Sequence, residues 1–581
     1  MIYLAHNHLS RILLLVVTFL WCAAQADSES HYVALRGMGQ PKYKQNFAYF
    51  DYVNPCAPKG GHLNLYTSYR FDSLNPYKDM GTPAPHADWV FATLMKSSRD
   101  NMDVSYPFVA QYVQVDRDYK FVTFSLRKKA FFHNGDPITA HDVAVSFQVL
   151  KRGGKVSWRP WLAQVDRVEI LDSHTIKFVF QGSNRDLPYF LGSLPIFSKK
   201  DLQKKEWGKQ EVMVGSGPYK IKSYHSGKFI IYERIQKWWG ENIPCQKGFH
   251  NFDEVKVTYY ADSRVGFEAF KKGLVDWWKE ERISNWHKGY DFKAAQKGQI
   301  VKAIFEKPFY HGLTGVFINT RQPHLKDIRV RQALNLLFDF EWLNKTRFFN
   351  SYQRNKSIFM NTGYGAGTFL NGDKKGLKEP PCLKPRDRIQ KALGLLKEAG
   401  WHLKNGILIS KRTKKRFSVD LLVYAPGHRT LFENFVQNLK QVGIEAHFKG
   451  GDMASYRQRV RDLDFDLVLH FHPHVVIPGP EQELFWKSTE ANKPGTLNLS
   501  GVQDRKVDDL VQKIKISHNL QDLKTYTSLL DRLITLGYYL IPGWIPEKSY
   551  VAYWKKINVK QANASLYDID TFWLTEQEKR V

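Results

Sequence analysis

The chain has 581 residues, of which 43% are hydrophobic and 14% are aromatic. This length exceeds what one hydrophobic core usually serves and predicts two or three lobes of ~100 to 200 residues each. The formal net charge is +28 at pH 7, but the basic residues are scattered, with one cluster at residues 411–416. Because the sequence contains no DNA- or RNA-recognition module, the charge does not favour nucleic-acid binding. It could attract acidic ligands or anionic membrane and cell-wall surfaces, but a lysine-coated surface explains it more simply.

The first 26 residues have the pattern of a secretory signal peptide. Arg11 precedes an apolar run at 12–24, and Ala24-Gln25-Ala26 forms a small-x-small cleavage site. The run is shorter than the roughly 20 residues that cross a bilayer. Trp21 before Cys22 does not suit a lipid-attachment site. We therefore expect cleavage after Ala26 and a free, soluble periplasmic protein.

Three cysteines remain beyond that site: Cys56, Cys245 and Cys382. One disulfide with one remaining thiol is compatible with an oxidising compartment, and the sequence does not indicate which pair would form it. The absence of a Cys-x-x-Cys pair does not favour a zinc site.

The first half of the chain mixes strands and helices without regular alternation. A strand is predicted at 62–69 and a loop at 71–76. Further on, Phe124 and Leu126 lie on one face of a strand, Asn134-Gly135 forms a turn, and Thr139 with Asp142 opens a helix as a capping box. Further strands are predicted at 165–170, 175–180, 220–224, 229–234 and 255–260, and a helix at 264–272. The mixture predicts an α/β lobe with a mixed sheet.

The second half alternates strand and helix, which predicts a second α/β lobe. The predicted elements, in order, are a strand at 313–319, a helix carrying Val330, Leu334 and Leu337, a helix at 388–399, a strand at 418–423, a helix at 430–442 and a strand at 444–448. We expect lobe I, with an extra subdomain, at 27–309, lobe II at 310–545, and a return to lobe I at 546–581.

Several blocks, in order along the chain, carry a family resemblance. The stretch 124–146 has the pattern Phe-x-Leu-Arg-x-x-Ala-x-Phe-x-x-Gly-x-Pro-Ile-Thr-Ala-x-Asp-Val, and further blocks lie at 215–219, 327–333 and 392–401. Together they resemble the family 5 extracellular solute-binding proteins of ABC importers. The blocks at 52–61, 71–76, 267–270, 333–343 and 479–482 are similar to the YejA-like, oligopeptide-binding branch.

The resemblance implies an α/β, two-lobed periplasmic binding protein of type II, with mixed sheets and a hinge. It also implies capture of short peptides or peptide conjugates, including cell-wall peptides and peptide antibiotics. Such a monomeric receptor delivers its ligand to an inner-membrane permease and its ATPase, and it needs no cofactor, no metal and no catalytic residue.

Candidate ligand-binding residues lie in three regions. In the family, the first strand and loop feed the mouth of the ligand cleft, which brings in Arg70, Phe71, Asp72 and Asn75. Arg70 would suit a ligand carboxylate by bidentate pairing, although a surface arginine is the simpler explanation. Asp72 and Asn75 are predicted to hold their own loop, and Phe71 either lines the cleft or fills the core. Tyr310 lies where the mixed pattern of the first half of the chain gives way to the regular alternation of the second half.

The contact to the ligand's amino group departs from the family pattern. In well-known peptide receptors of the family, an aspartate just after a strand resembling residues 465–469 holds that group. The ungapped equivalent here is Val475. Glu481, followed by Gln482, is the nearest acid downstream and our substitute, and a solvated loop carboxylate is an equally good interpretation.

Three histidines suggest an alternative function. His470 and His472 alternate on a predicted strand and would share one face, joined by His474 if the strand continues. They support either plain cleft lining, which we favour, or a haem- or metal-binding periplasmic carrier. A third hypothesis, a secreted hydrolase, has no Gly-x-Ser-x-Gly, phosphate-loop or His-Glu-x-x-His motif to support it.

Overall fold

The computed structural model describes residues 28–31, 34–35, 40–78, 81–205, 207, 212–306, 312–360, 362–365, 383–424, 426–473, 477–517, 519–560 and 569–575. The predicted signal peptide with its cleavage site lies outside the described residues, as do Tyr310, Cys382, His474 and Val475.

The helices and strands follow one another along the whole described chain. The first group is β1 (Ser28–His31), β2 (Ala34–Leu35), β3 (His62–Thr67), β4 (Met95–Ser97), β5 (Val104–Pro107), β6 (Ala110–Asp116), β7 (Phe121–Leu126), α1 (Ala140–Gly153), α2 (Arg159–Leu162), β8 (Val165–Asp172), β9 (Thr175–Phe180), α3 (Leu187–Gly192), α4 (Lys199–Lys204), β10 (Tyr219–His225), β11 (Phe229–Arg234), β12 (Glu254–Tyr259), α5 (Ser263–Lys271) and β13 (Trp277–Glu280).

The second group runs from the short helices after β13 to the last strand pair. It comprises α6 (Ile283–Lys288), α7 (Lys293–Gln296), β14 (Ile300–Glu306), β15 (Gly312–Ile318), α8 (Ile328–Leu337), α9 (Phe340–Arg347), β16 (Tyr352–Arg354), α10 (Pro385–Glu398), β17 (Trp401–Lys404), β18 (Ile407–Ser410), β19 (Ser418–Leu422), α11 (Glu433–Gln441), β20 (Glu445–Lys449), α12 (Met453–Arg461), β21 (Leu467–Pro473), α13 (Gln482–Trp486), α14 (Arg505–Ile516), α15 (Leu520–Leu536), β22 (Leu540–Pro542), β23 (Trp544–Pro546), β24 (Lys548–Trp554), β25 (Ile557–Asn558) and β26 (Trp573–Leu574).

The chain forms two compact units. Unit 1 comprises Met1–Trp278, Lys297–Val301 and Tyr553–Val581, and unit 2 comprises Lys279–Gln296 and Lys302–Ala552. Strands β13, β24 and β14 form one sheet, in the order β13-β24-β14. The lobes predicted from the sequence are groups of residues that we expect to move together when ligand binds. Their boundaries stay a prediction.

Unit 1 contains a five-stranded sheet in the order β1-β6-β7-β9-β8, a four-stranded sheet in the order β10-β11-β12-β3, and the smaller sheets β2-β5-β4 and β25-β26. The first sheet is antiparallel throughout, whereas β12 and β3 pair in parallel. The mixed sheet predicted for the first half of the chain is confirmed.

The stretch that carries the family signature folds as its sequence predicts. Gly135 has a φ of 84°, and its N–H donates to Phe132 O in the turn. The Thr139 N–H donates to Asp142 Oδ2 at 2.9 Å, so the capping box forms and α1 begins at Ala140. Asp142 Oδ1 also accepts from the Lys199 N–H. Phe147 of α1 then packs edge-on against Phe178 of β9, with their ring centroids 5.5 Å apart.

Unit 2 is built on one five-stranded sheet in the order β20-β19-β21-β15-β22. Strands β19, β20 and β21 are parallel, and β15 is antiparallel to β21. Successive side chains point to opposite faces of a strand, so the sheet buries two separate cores. One core contains Val316, Leu421 and Leu467, and the other contains Phe317 and Val468. Helices α8, α10 and α11 cover the first, while α14 and α15 cover the second.

The two described cysteines are free thiols. Cys56 is exposed, and Cys245 is buried with its Sγ donating to Pro107 O at 3.2 Å. Burial raises the pKa of the Cys245 thiol to about 12. Any pairing of Cys382 lies outside the described residues.

Candidate ligand-binding site

The loop after β3 in unit 1 contains four of the predicted ligand-binding residues. Asp72 Oδ1 accepts from the Thr82 N–H at 2.6 Å, and Asn75 Oδ1 accepts from the Tyr77 N–H at 2.9 Å. Both side chains therefore hold their own loop, which confirms the predicted structural role. Phe71 is 2% exposed, and its carbonyl accepts from Ser226 Oγ at 3.0 Å, so its ring packs in the core.

Arg70 is exposed at the start of this loop. Its guanidinium carbon lies 5.3 Å from the ring centroid of Tyr259, within the range of a cation–π contact. In the part of the chain that the structure describes, no carboxylate forms an ion pair with Arg70. The guanidinium donors therefore remain available for a ligand carboxylate.

In unit 2, polar and aromatic side chains gather at the carboxyl end of the parallel strands. Tyr424 follows β19, Tyr456 lies on α12 after β20, and His470 lies on β21. Ring centroids are 5.6 Å apart for Tyr424 and Tyr456, 6.3 Å for Tyr456 and His470, and 4.1 Å for Tyr424 and His428. Ligands of open α/β sheets bind outside the carboxyl ends of the strands. We call Tyr424, His428, Tyr456 and His470 the carboxyl-edge cluster.

Strand β21 also extends beyond its parallel neighbour. Its pairing with β19 ends at Val468, whereas the strand continues to Pro473. Among the described residues, no strand pairs with residues 470–473 on the β19 side. An exposed strand edge presents backbone donors and acceptors that an extended peptide can pair with.

His470 is the half-buried histidine of β21, and His472 the fully buried one. The Tyr456 hydroxyl lies 2.7 Å from His470 Nδ1, and burial lowers the pKa of His470 to about 4. His472 is 1% exposed, with its ring centroid 4.4 Å from Phe317 and 4.7 Å from Phe485. The two histidines share one face of the strand, as predicted, but His472 is part of the second core of the sheet.

The structure offers no support for a metal centre within its described residues. They contain no group of three or more histidine, cysteine, aspartate or glutamate side chains that could hold a metal ion. His470 and His472 have ring centroids 5.3 Å apart, and the third predicted histidine, His474, lies outside the described residues.

Glu481 and Gln482 lie at the start of α13 in unit 2. Glu481 is half-buried, and its Oε1 accepts from the Gly479 N–H at 2.9 Å and from Gln482 Nε2 at 3.1 Å. Gln482 is fully buried, and its Oε1 accepts from Trp486 Nε1 at 3.2 Å. The carboxylate is therefore partly engaged by its own turn, and Gln482 anchors that turn to the core.

Tyr424, His428 and Tyr456 were not predicted from the sequence. A signal for Tyr424 was present, because it directly follows the predicted strand at 418–423 in a half of the chain where strand and helix alternate. Such alternation predicts parallel strands whose carboxyl ends share one edge. Tyr456 lies on α12, a helix that was not predicted from the sequence.

Comparison with known proteins decides the family. Residues 105–492 match the model of the bacterial extracellular solute-binding proteins, family 5 Middle. The chain belongs to this family. It is also 33% identical to the probable peptide-binding protein YejA of Agrobacterium fabrum, over 97% of this chain and 98% of that one.

Solved structures have the same fold. The chain superposes on NikA from Brucella suis in complex with Fe(III)-EDTA with a TM-score of 0.72 and 17% identity, covering 89% of this chain and all of that one. The oligopeptide-binding protein AppA from Bacillus subtilis, in complex with a nonapeptide, gives a TM-score of 0.68 and 18% identity, covering 90% and 100%. These likenesses confirm the predicted fold class, a two-lobed α/β binding protein of type II.

Family membership also settles the broad function. Family 5 proteins are solute-binding components of ABC importers and act outside the cytoplasm, so this chain is a binding protein and not an enzyme. None of the helices in the described part of the chain has the length and apolar character that a bilayer crossing requires. The haem- or metal-carrier alternative is not favoured.

Proposed function

We propose that this protein captures short peptides or peptide conjugates and delivers them to an inner-membrane ABC permease with its ATPase. The observation that carries the proposal is the near full-length similarity to a probable peptide-binding protein, at 33% identity. In this proposal, the signal peptide is cleaved after Ala26, and the mature protein is a periplasmic monomer. Cell-wall peptides and peptide antibiotics fall within the proposed ligand class.

The edge of β21 supports a peptide ligand. A receptor that accepts many sequences needs contacts that every peptide can make, and backbone hydrogen bonds to a strand edge are such contacts. Residues 470–473 offer an edge of this kind beside the aromatic rings of the carboxyl-edge cluster. Aromatic walls add apolar contact without selecting one side chain.

Two charged residues are proposed to contact the ligand. Arg70 in unit 1 would pair with a ligand carboxylate, since it is exposed and its neighbour is a ring and not an acid. Glu481 in unit 2 would accept a hydrogen bond from the free amino group of the peptide. Its half-buried carboxylate would supply the negative charge that a positively charged amino group needs as a partner. Tyr310, Gln482 and His472 remain proposed neighbours of the site.

A thermal-unfolding experiment tests the function. Protein freed of bound material by unfolding and refolding would be heated with a mixture of tri- to pentapeptides, with haemin, or with Ni²⁺. A ligand present at 100 times its Kd adds about 2.7 kcal/mol to the free energy of unfolding, so we expect the peptides to raise the Tm. A rise with haemin or Ni²⁺ and none with peptides would contradict the proposal.

A further inference from the structure

One hydroxyl hydrogen decides where the proton of His470 resides. Tyr456 Oη lies 2.9 Å from Leu469 O and 2.7 Å from His470 Nδ1. A phenol carries a single hydrogen, and a carbonyl oxygen can only accept. Tyr456 therefore donates to Leu469 O, and its oxygen accepts from the Nδ1–H of His470. Tyr456 is 6% exposed, so water does not compete strongly for this arrangement.

The other ring nitrogen is then an acceptor. A neutral imidazole carries one N–H, so protonation at Nδ1 leaves a lone pair at Nε2. Neutrality is supported by burial, which lowers the pKa of His470 to about 4. Within the described residues, the Tyr456 hydroxyl is the one hydrogen-bonding partner of the His470 ring, and Nε2 has none.

The position of this acceptor suits an extended ligand. His470 is half-buried at the carboxyl edge of the parallel strands, on the part of β21 that continues past β19. We propose that His470 Nε2 accepts a hydrogen bond from a backbone amide N–H of the bound peptide, with Tyr456 as the positioning residue. This inference rests on the proposed peptide-binding function.

The chemistry of the acceptor selects an amide over an ammonium group. A neutral acceptor satisfies an amide N–H, whereas a partly buried ammonium needs a negative partner as well. An amide N–H is present in every peptide, whatever its side chains and whether or not its N-terminus is blocked. The contact therefore suits a receptor for peptides and peptide conjugates of many sequences.

Nitrogen NMR of protein labelled with ¹⁵N in histidine tests the acceptor directly. We expect the His470 ring to be protonated at Nδ1 and unprotonated at Nε2, with its signals identified by their loss in His470→Phe. Tyr456→Phe removes the hydroxyl that holds this tautomer and should shift the ring towards protonation at Nε2. The exposed His447 provides a control, because His447→Phe should leave the His470 signals unchanged. Protonation of His470 at Nε2 in the unaltered protein would overturn the proposal.

Binding of tetra-alanine and its three mono-N-methylated derivatives tests the contact with ligand. One derivative should bind the unaltered protein about five-fold more weakly than tetra-alanine, because a net hydrogen bond contributes about 1 kcal/mol. In His470→Phe that difference should disappear, and in His447→Phe it should remain. Unchanged differences for all three derivatives in His470→Phe would overturn the contact. Failure of the unaltered protein to bind tetra-alanine or a mixed tri- to pentapeptide pool would instead contradict the peptide-binding function itself.

Discussion

The carboxylate of Glu481 is held by its own turn, through the Gly479 N–H and Gln482 Nε2. Glu481→Gln keeps the shape of the side chain but removes its charge. We expect it to weaken peptides with a free N-terminus far more than N-acetylated ones. Truncating one partner of a buried charge pair costs about 2 to 5 kcal/mol, which sets the scale of the loss in calorimetry.

Glu483→Gln is the matched control for this change. Glu483 belongs to the same short helix but pairs with Lys487 at 2.8 Å and Lys515 at 3.1 Å. Glu483→Gln should therefore affect peptides with a free N-terminus and N-acetylated peptides alike. An equal loss for both types in Glu481→Gln would indicate damage to the turn and no contact with the amino group.

Arg70 is predicted to give a preference for acidic peptides. Matched tripeptides that differ only in glutamate or lysine would be titrated at low and physiological salt. A preference that persists at physiological salt and falls in Arg70→Ala is the expected result, because the field of distant surface lysines is screened beyond ~8 Å. Arg264→Ala is the control at an exposed arginine of the same unit, and it should leave the preference for acidic peptides unchanged. Equal binding of lysine peptides in every condition would refute the prediction.

Local chemistry made some of these residues predictable from sequence. Asn75 holds its loop by accepting from the backbone N–H two residues further on, which is a property of the residue type and the turn, whereas Asp72 accepts from the Thr82 N–H ten residues further on. The carboxyl-edge cluster was not predictable in the same way, because Tyr424, Tyr456 and His470 come from three segments that only the folded sheet brings together.

At the scale of elements, the C-terminal segment is tied to the rest of unit 1 by a buried ion pair. Arg99 Nη2 donates to Asp570 Oδ1 at 2.8 Å and Oδ2 at 2.6 Å, and the His250 N–H donates to Asp570 O. Burial would raise the pKa of Asp570, but the charge of Arg99 and its hydrogen bonds to the carboxylate hold it at about 2. The usual value in an unfolded chain is about 3.9.

This lowered pKa predicts how stability depends on pH. The folded state favours the charged form of the Asp570 carboxyl. The stabilisation that its ion pair gives the fold is therefore fully present above pH ~4 and is lost as the pH falls through about 2. Asp570→Asn should lower the free energy of unfolding at pH 7 by about 3 to 5 kcal/mol and flatten its fall between pH 4 and 2. Urea unfolding at several pH values measures both.

Asp253→Asn is the control for this experiment. Asp253 pairs with Arg234 at 2.6 Å, but its side chain is 42% exposed, so solvent weakens the pair and the loss should be smaller. If Asp570→Asn and Asp253→Asn were equally mild and kept the same pH dependence, the Asp570 ion pair would not stabilise the C-terminal segment.

Most elements with a clear periodicity were predicted within a few residues. The helix predicted to open at Thr139 is α1, and the predicted strand at 418–423 is β19. Strands β13 and β14 were not predicted, and each pairs with β24, which lies more than 200 residues away along the chain. Pairing over such distances leaves no local pattern in the sequence.

At the scale of the whole molecule, the family's fold predicts closure around the ligand. Lobe II, predicted at 310–545, would move as one body relative to the rest. We expect peptide binding to shrink the radius of gyration measured by X-ray scattering. The Arg70→Ala variant, at a peptide concentration that does not saturate it, should shrink less. An unchanged radius at saturating peptide would remove the closing mechanism.

The identity of the natural ligand is the most direct test of the central claim. Protein purified from its native host would be denatured, and the released material would be identified by mass spectrometry. The proposed function predicts short peptides or peptide conjugates, in amounts close to one per protein molecule. Porphyrin or iron in that amount, with no peptide, would contradict it and support a carrier of haem or metal instead.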